Sequence, residues 1–201
     1  MSMIIGLTGP TGAGKSLFTE IAARQGCCII NCDSSARKAA YKGSAMLREL
    51  AAHFGDYIID ADGELDRKAL AEKAFKNRRS TELLDKISLP YIAKFIRGEI
   101  DAAVSSNDVI LLDAPTLYES GLDTVCDTVI AVLSDEKVRL ERILERDGIT
   151  IEQATLRMNA GKDEEFYTSK AEHIIYNNSD VDGFFENAEK LLKKIIGGKK
   201  V

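Results

Sequence analysis

The chain has 201 residues, 45% of them hydrophobic. That is enough for one α/β core with a modest insertion and excludes global disorder. The net charge of -5 argues against general binding to nucleic acid or to an anionic membrane. The four cysteines (Cys27, Cys28, Cys32 and Cys126) form no CxxC pair and have no histidine at ligand spacing, which argues against zinc. No signal peptide and no apolar run near ~20 residues is present, so they read as reduced thiols of a cytoplasmic protein.

In chain order, Met3–Thr8 reads as a short buried strand and Leu17–Arg24 as a helix with Leu17, Phe18, Ile21 and Ala22 inward. Gly26 stands where an αL cap would end it. Between strand and helix lies Gly9, Pro10, Thr11, Gly12, Ala13, Gly14, Lys15 and Ser16, the spacing of a phosphate-binding P-loop. Glycines 9, 12 and 14 allow positive φ and a close approach to a ligand without a Cβ. Backbone N–H groups then point into one concavity at the positive end of the helix. Lys15 is expected to reach the β/γ-phosphates and the Ser16 hydroxyl to hold Mg²⁺.

Cys27–Asn31 suits a second buried strand, and Asp33 follows it. A carboxylate at the carboxyl edge of a doubly wound sheet is placed to accept a proton from an attacking substrate hydroxyl; equally, Asp33 caps a helix beginning near Ser34. Arg37 is either an anion contact or a solvated charge. From Ser44 to Asn107 the periodicity predicts helices over Ala45–Phe54, Arg67–Phe75, Thr81–Ser88 and Tyr91–Ser105, with Pro90 in the first turn of the last. This reads as a helical insertion between strands two and three.

Asp108–Asp113 is a third strand that closes on a carboxylate, the Walker B arrangement in which Asp113 holds Mg²⁺; the alternative is a turn residue. Tyr118 and Glu119 follow as candidate substrate contacts, with packing an equal reading for Tyr118. Asp127–Leu133 is a fourth strand, and Ser134, Asp135 and Glu136 start a helix. On it Arg139, Arg142 and Arg146 share one face, either to meet a bound triphosphate or as a solvated face balanced by Glu141 and Glu145. Thr150–Gln153 is a capping box opening a helix that carries Arg157. The polar stretch between Asp147 and Asp163 has the character of a lid. His173–Asn177 is a fifth strand, Val181–Ile196 an amphipathic closing helix, and the tail from Gly197 to Val201 reads as frayed. Neither His53 nor His173 has a partner nearby in sequence that supports catalysis.

Several of these pieces together resemble the dephospho-coenzyme A kinases over nearly all of residues 3–196. They are the P-loop, Cys32-Asp33 followed by Ala36-Arg37, His53–Gly55, Asp62–Arg67, Tyr118–Leu122, Arg142–Gly148, Arg157 and Ile174–Asn178. The resemblance implies a three-layer α/β P-loop kinase fold with a five-stranded parallel sheet, a helical substrate-binding insertion and a lid. Its implied boundaries are a nucleotide-binding core of residues 1–33, 108–140 and 170–201, a coenzyme A domain of 34–107 and a lid of 141–169. It implies ATP and Mg²⁺ as cofactors and dephospho-coenzyme A as substrate; a monomer or weak oligomer is expected, and the charge and apolar pattern predict no nucleic-acid or membrane partner.

By that resemblance Asp33 is the general base, and Lys15, Arg142 and Arg146 are its catalytic companions. ATP is held by residues 9–17 (Leu17 included), Arg142 and Arg157. Substrate is met by Asp33, Arg37, Tyr118 and Glu119. The chain departs from the family's usual pattern at Asn31 (Asp), Leu89 (His), Gly161 (Gln), Thr116 (Leu) and Glu172 (Asp). A nucleoside or nucleoside-monophosphate kinase is the nearest alternative. A GTPase switch is more distant, because no Asn/Thr-Lys-x-Asp run occurs.

Overall fold

A computed structural model describes residues 2–198; the expected fraying of the tail concerns residues 199–201 in part, which lie outside the described residues. Within the described residues the chain divides into two compact units, one of residues 2–31 with 102–198 and one of residues 32–101.

The first unit is built on five strands: β1 (Met3–Thr8), β2 (Cys28–Asn31), β3 (Val109–Asp113), β4 (Thr128–Leu133) and β5 (His173–Tyr176). All neighbours pair in parallel, in the order β2-β3-β1-β4-β5. Both faces are covered, so the strands are apolar at nearly every position rather than alternating. On one face Ile5, Leu7, Leu111, Ile130 and Val132 pack with Phe18, Ile21 and Ala22 of α1 (Lys15–Arg24) and with Phe184, Ala188, Leu192 and Ile195 of the closing helix (Val181–Gly197). On the other face the intervening residues Ala131 and Leu133 meet Tyr167 and Phe166 of a short helix, Glu164–Thr168.

The second unit is helical. α2 (Cys32–Ala39), α3 (Ala45–Phe54) and α4 (Arg67–Ala74) lead into α5 (Arg78–Ala103), whose last two residues belong to the first unit. Ser44 caps α3 and Asp66 caps α4, each side chain accepting from first-turn N–H groups. Leu50, Ile58, Leu70, Ala74 and Ile87 form a separate apolar core. Returning to the first unit, α6 (Glu136–Asp147) and α7 (Ile151–Asn159) follow β4. The helices Glu164–Thr168 and Val181–Gly197 are α8 and α9.

Three sequence expectations change. The helices expected on either side of Pro90 are one helix of 26 residues with the proline inside it. An internal proline costs ~3 kcal/mol, but Ile87, Ala93, Ile96 and Ile100 form one buried stripe through the site, and breaking the helix would expose part of it. Asp33 lies in the first turn of α2 rather than before it, so it is not the cap of that helix. The residue flanking α6 is Asp135, whose side chain makes no capping bond, while the Ser134 hydroxyl donates to the Asn177 carbonyl at 2.9 Å.

Candidate functional site

The P-loop joins β1 to α1 at the carboxyl edge of the sheet. Gly9, Gly12 and Gly14 have φ of 139°, 79° and 98°, a region that L side chains rarely adopt. Their missing Cβ atoms face protein. A Cβ on Gly9 would stand 2.1 Å from the Val132 carbonyl oxygen, one on Gly12 2.8 Å from the Arg139 carbonyl oxygen, and one on Gly14 2.0 Å from Asn177 Nδ2. The glycines therefore let the loop pack against β4, α6 and the end of β5, a reason the spacing alone does not reveal.

Within the loop, Ala13 N–H donates to the Pro10 carbonyl at 3.3 Å. Lys15 Nζ folds back to donate to the carbonyls of Gly9 at 2.6 Å and Pro10 at 3.4 Å. No side chain caps the first turn of α1 and no acidic residue lies in it. The turn's N–H groups and the helix dipole thus favour an anion. Ser16 is exposed on that turn and Leu17 half-buried beside it.

Asp113 ends β3 and is 8% exposed. Its Oδ2 accepts from Thr19 Oγ1 of α1 and from Asn31 Nδ2 at the end of β2, both at 3.3 Å. Asn31 and Asp113 are register partners, so parallel pairing alone brings the amide to the carboxylate. Ser16 and Asp113 offer a hydroxyl and a carboxylate oxygen, hard donors of the kind Mg²⁺ takes in small number beside water and phosphate. The residues fit that ion.

The arginines of α6 divide. Arg139 Nε donates to the Thr11 carbonyl at 2.9 Å, and burial lowers its guanidinium pKa. Arg142 lies against the loop: Nη1 is 3.5 Å from the carbonyls of Gly12 and Ala13 and 3.3 Å from Ser134 Oγ, and Nη2 donates to Asn177 Oδ1 at 3.2 Å. Arg146 instead makes a two-point contact with Asp147, at 2.7 and 2.9 Å, and Arg157 of α7 donates to the same carboxylate. The hydrogen bond from Arg146, with help from both positive charges, holds the Asp147 carboxyl below its usual range.

Tyr118 packs edge-on against Phe166, with ring centroids 5.6 Å apart, and Lys170 lies over its ring. Burial pushes its hydroxyl up to about 12. Glu119 is exposed. In the helical unit Asp33 and Arg37 are exposed on α2, and the Arg37 carbonyl accepts from Arg67 Nη2 at 3.0 Å. Sequence reasoning does not single out Thr19, and Asn31 and Asn177 enter it only as a departure from the family pattern and as part of the Ile174–Asn178 piece. Their position at strand ends, on the ligand-binding edge of such sheets, is the signal for a site role.

A phosphate cradle between β1 and α1, with a carboxylate ending the neighbouring strand of a five-stranded parallel sheet, defines a P-loop kinase. The comparisons narrow the class. The family model described as dephospho-CoA kinase matches residues 3–183. A dephospho-CoA kinase of Fusobacterium nucleatum subsp. nucleatum is 36% identical over 96% of this chain and 98% of its own. One from Syntrophotalea carbinolica is 32% identical over 98% and 94%. The solved structure of dephospho-CoA kinase from Campylobacter jejuni superposes with a TM-score of 0.75 at 26% identity, covering 98% of this chain and 99% of that one. The chain belongs to the dephospho-CoA kinase family and is an ATP-dependent kinase.

Proposed function

We propose that this kinase transfers the γ-phosphoryl group of ATP to the ribose 3′-hydroxyl of dephospho-coenzyme A, producing coenzyme A and ADP. The observation that carries the reading is the P-loop, with an uncapped helix N-terminus at its floor and Lys15 folded over its rim, in a chain of this family.

The N–H groups of residues 12–16 hold the β-phosphate, and Lys15 exchanges its carbonyl partners for phosphate oxygens. Ser16 and Asp113 would hold Mg²⁺, which when bound would supply positive charge to the phosphates. Asp33, two residues past the end of β2 in sequence, accepts the proton of the 3′-hydroxyl as that oxygen bonds to the γ-phosphorus. The bond from phosphorus to the β,γ-bridging oxygen breaks, and its electrons leave with ADP. Arg142, Arg146 and Arg157 supply positive charge to the transferring group, the last two after phosphate displaces the Asp147 carboxylate. Arg37, Tyr118 and Glu119 serve as acceptor contacts, and residues 34–107 as the coenzyme A domain. Contacts to the remote part of the acceptor favour closure of the 141–169 segment, which excludes water that would hydrolyse ATP.

The test is an acceptor screen. The protein is incubated with Mg-ATP and, in turn, dephospho-coenzyme A, nucleosides and nucleoside monophosphates, and ADP is measured. ADP release only with dephospho-coenzyme A is the expected result. A strong signal with a nucleoside monophosphate and none with dephospho-coenzyme A overturns the proposal.

A further inference from the structure

The structure assigns Asn177 the role of a positioning residue for the phosphate cradle, acting through the Ala13–Gly14 peptide. The inference rests on reading residues 9–16 as the ATP site.

Asn177 follows the last residue of β5 and is 3% exposed, so the side chain is too enclosed to serve as a surface contact. Its backbone is fixed at both ends: the N–H donates to the Leu133 carbonyl at 2.8 Å and the carbonyl accepts from Ser134 Oγ at 2.9 Å. Its side chain is fixed as well. Nδ2 donates to the Ala13 carbonyl at 3.0 Å in a buried hydrogen bond, and Oδ1 accepts from Arg142 Nη2. The arginine's contact with the amide oxygen settles which way round the amide sits, because a guanidinium only donates.

Peptide planarity turns this anchor into a functional device. No cis peptide occurs among the described residues, and in a trans peptide the carbonyl of one residue and the N–H of the next point in opposite directions. With the Ala13 carbonyl drawn to Asn177, the Gly14 N–H must face the other side of the loop. Arg139 does the same two residues earlier, holding the Thr11 carbonyl and so turning the Gly12 N–H. Asn177 thus orients a phosphate-binding amide without touching phosphate. The 2.0 Å approach that a Gly14 Cβ would make to Asn177 Nδ2 shows how closely loop and side chain are matched.

The test compares the full-length wild-type protein with Asn177→Ala and Asn177→Asp by calorimetric titration with ATP and with inorganic tripolyphosphate, below the melting temperature of each. Asn177→Asp keeps the shape and the acceptor toward Arg142 but loses the donor to Ala13. We expect both variants to bind tripolyphosphate at least ~10-fold more weakly and to raise KM for ATP in parallel. KM for the acceptor should stay within ~2-fold, and the Gly14 amide proton should shift in the NMR spectrum. A purely structural residue would lower the melting temperature and leave tripolyphosphate affinity and the KM split unchanged. That result, or failure of both variants to fold, overturns the inference. Wild-type protein that binds neither ATP nor tripolyphosphate would instead refute the underlying reading of the loop.

Discussion

Asn31 and Asp113 are joined side by side at the ends of β2 and β3, with the Asn31 amide donating to the Asp113 carboxylate at 3.3 Å. A neutral donor beside the carboxylate of the proposed Mg²⁺ site adds no like-charge repulsion. Asn31→Asp replaces that donor with a second negative charge. We expect a loss of about 1 kcal/mol without divalent cation, since like charges directly opposite one another on paired strands destabilise. Added Mg²⁺ should recover it. Thermal melts with and without Mg²⁺ check this; an equal cation effect on wild type and variant would contradict it.

Asp33 and Lys15 should fail in different ways. Asp33→Asn removes the proposed proton acceptor, so kcat should fall about 10²–10⁴-fold while ATP affinity stays near normal. Lys15→Ala removes both the phosphate contact and the link to the Gly9 and Pro10 carbonyls. It should weaken ATP binding and slow turnover together, by about 10²–10³-fold in kcat. Steady-state kinetics with an ATP titration separate the two patterns.

Two glycines with positive φ offer a controlled comparison. At Gly9 a Cβ would collide with the Val132 carbonyl, whereas at Gly26, with φ of 84°, nothing lies within 4 Å. Gly26→Ala should cost only the left-handed backbone penalty of about 1–2 kcal/mol. Gly9→Ala adds displacement of β4 backbone and should cost about 3 kcal/mol or more. Urea unfolding of both variants measures the difference.

The Cys27 and Cys126 thiols are pushed up to about 11 and about 12, in each case chiefly by burial. Little thiolate exists on either at pH 8, so both should resist alkylation in the native protein and react fully once it is unfolded. Mass spectrometry of alkylated peptides reads this directly. The same shifts make stability fall with rising pH. Above about 8.5 the unfolded thiols lose protons while the folded ones keep theirs, so the unfolded state is favoured. Replacing Cys27 with Ser should flatten that decline in melts between pH 8 and pH 10.

Pro90 supplies a test of α5. It is exposed within an unbroken helix, so Pro90→Ala restores a backbone donor without touching the buried stripe. A gain of about 1–3 kcal/mol in stability is expected, with no loss of kinase activity.

The amino-acid sequence by itself determined the strand–loop–helix unit at residues 3–24, the five strands, the capping box at Thr150, the cap at Asp66, and the family resemblance, now joined by a matching family model. These are legible because they rest on local spacing: period-2 or apolar runs, glycine punctuation and a cap three residues from its partner. Only the tertiary structure decided that α5 runs through Pro90, because the stripe that offsets the proline's cost is buried by residues distant in sequence. It alone showed Arg139 and Arg142 on P-loop carbonyls while Arg146 and Arg157 share Asp147, and it alone put Asn177 behind Gly14. Arg139, Arg142 and Asn177 meet partners more than 100 residues away. Helical periodicity can place a side chain on a face, but what that face meets is set by how the strands pair and the helices pack.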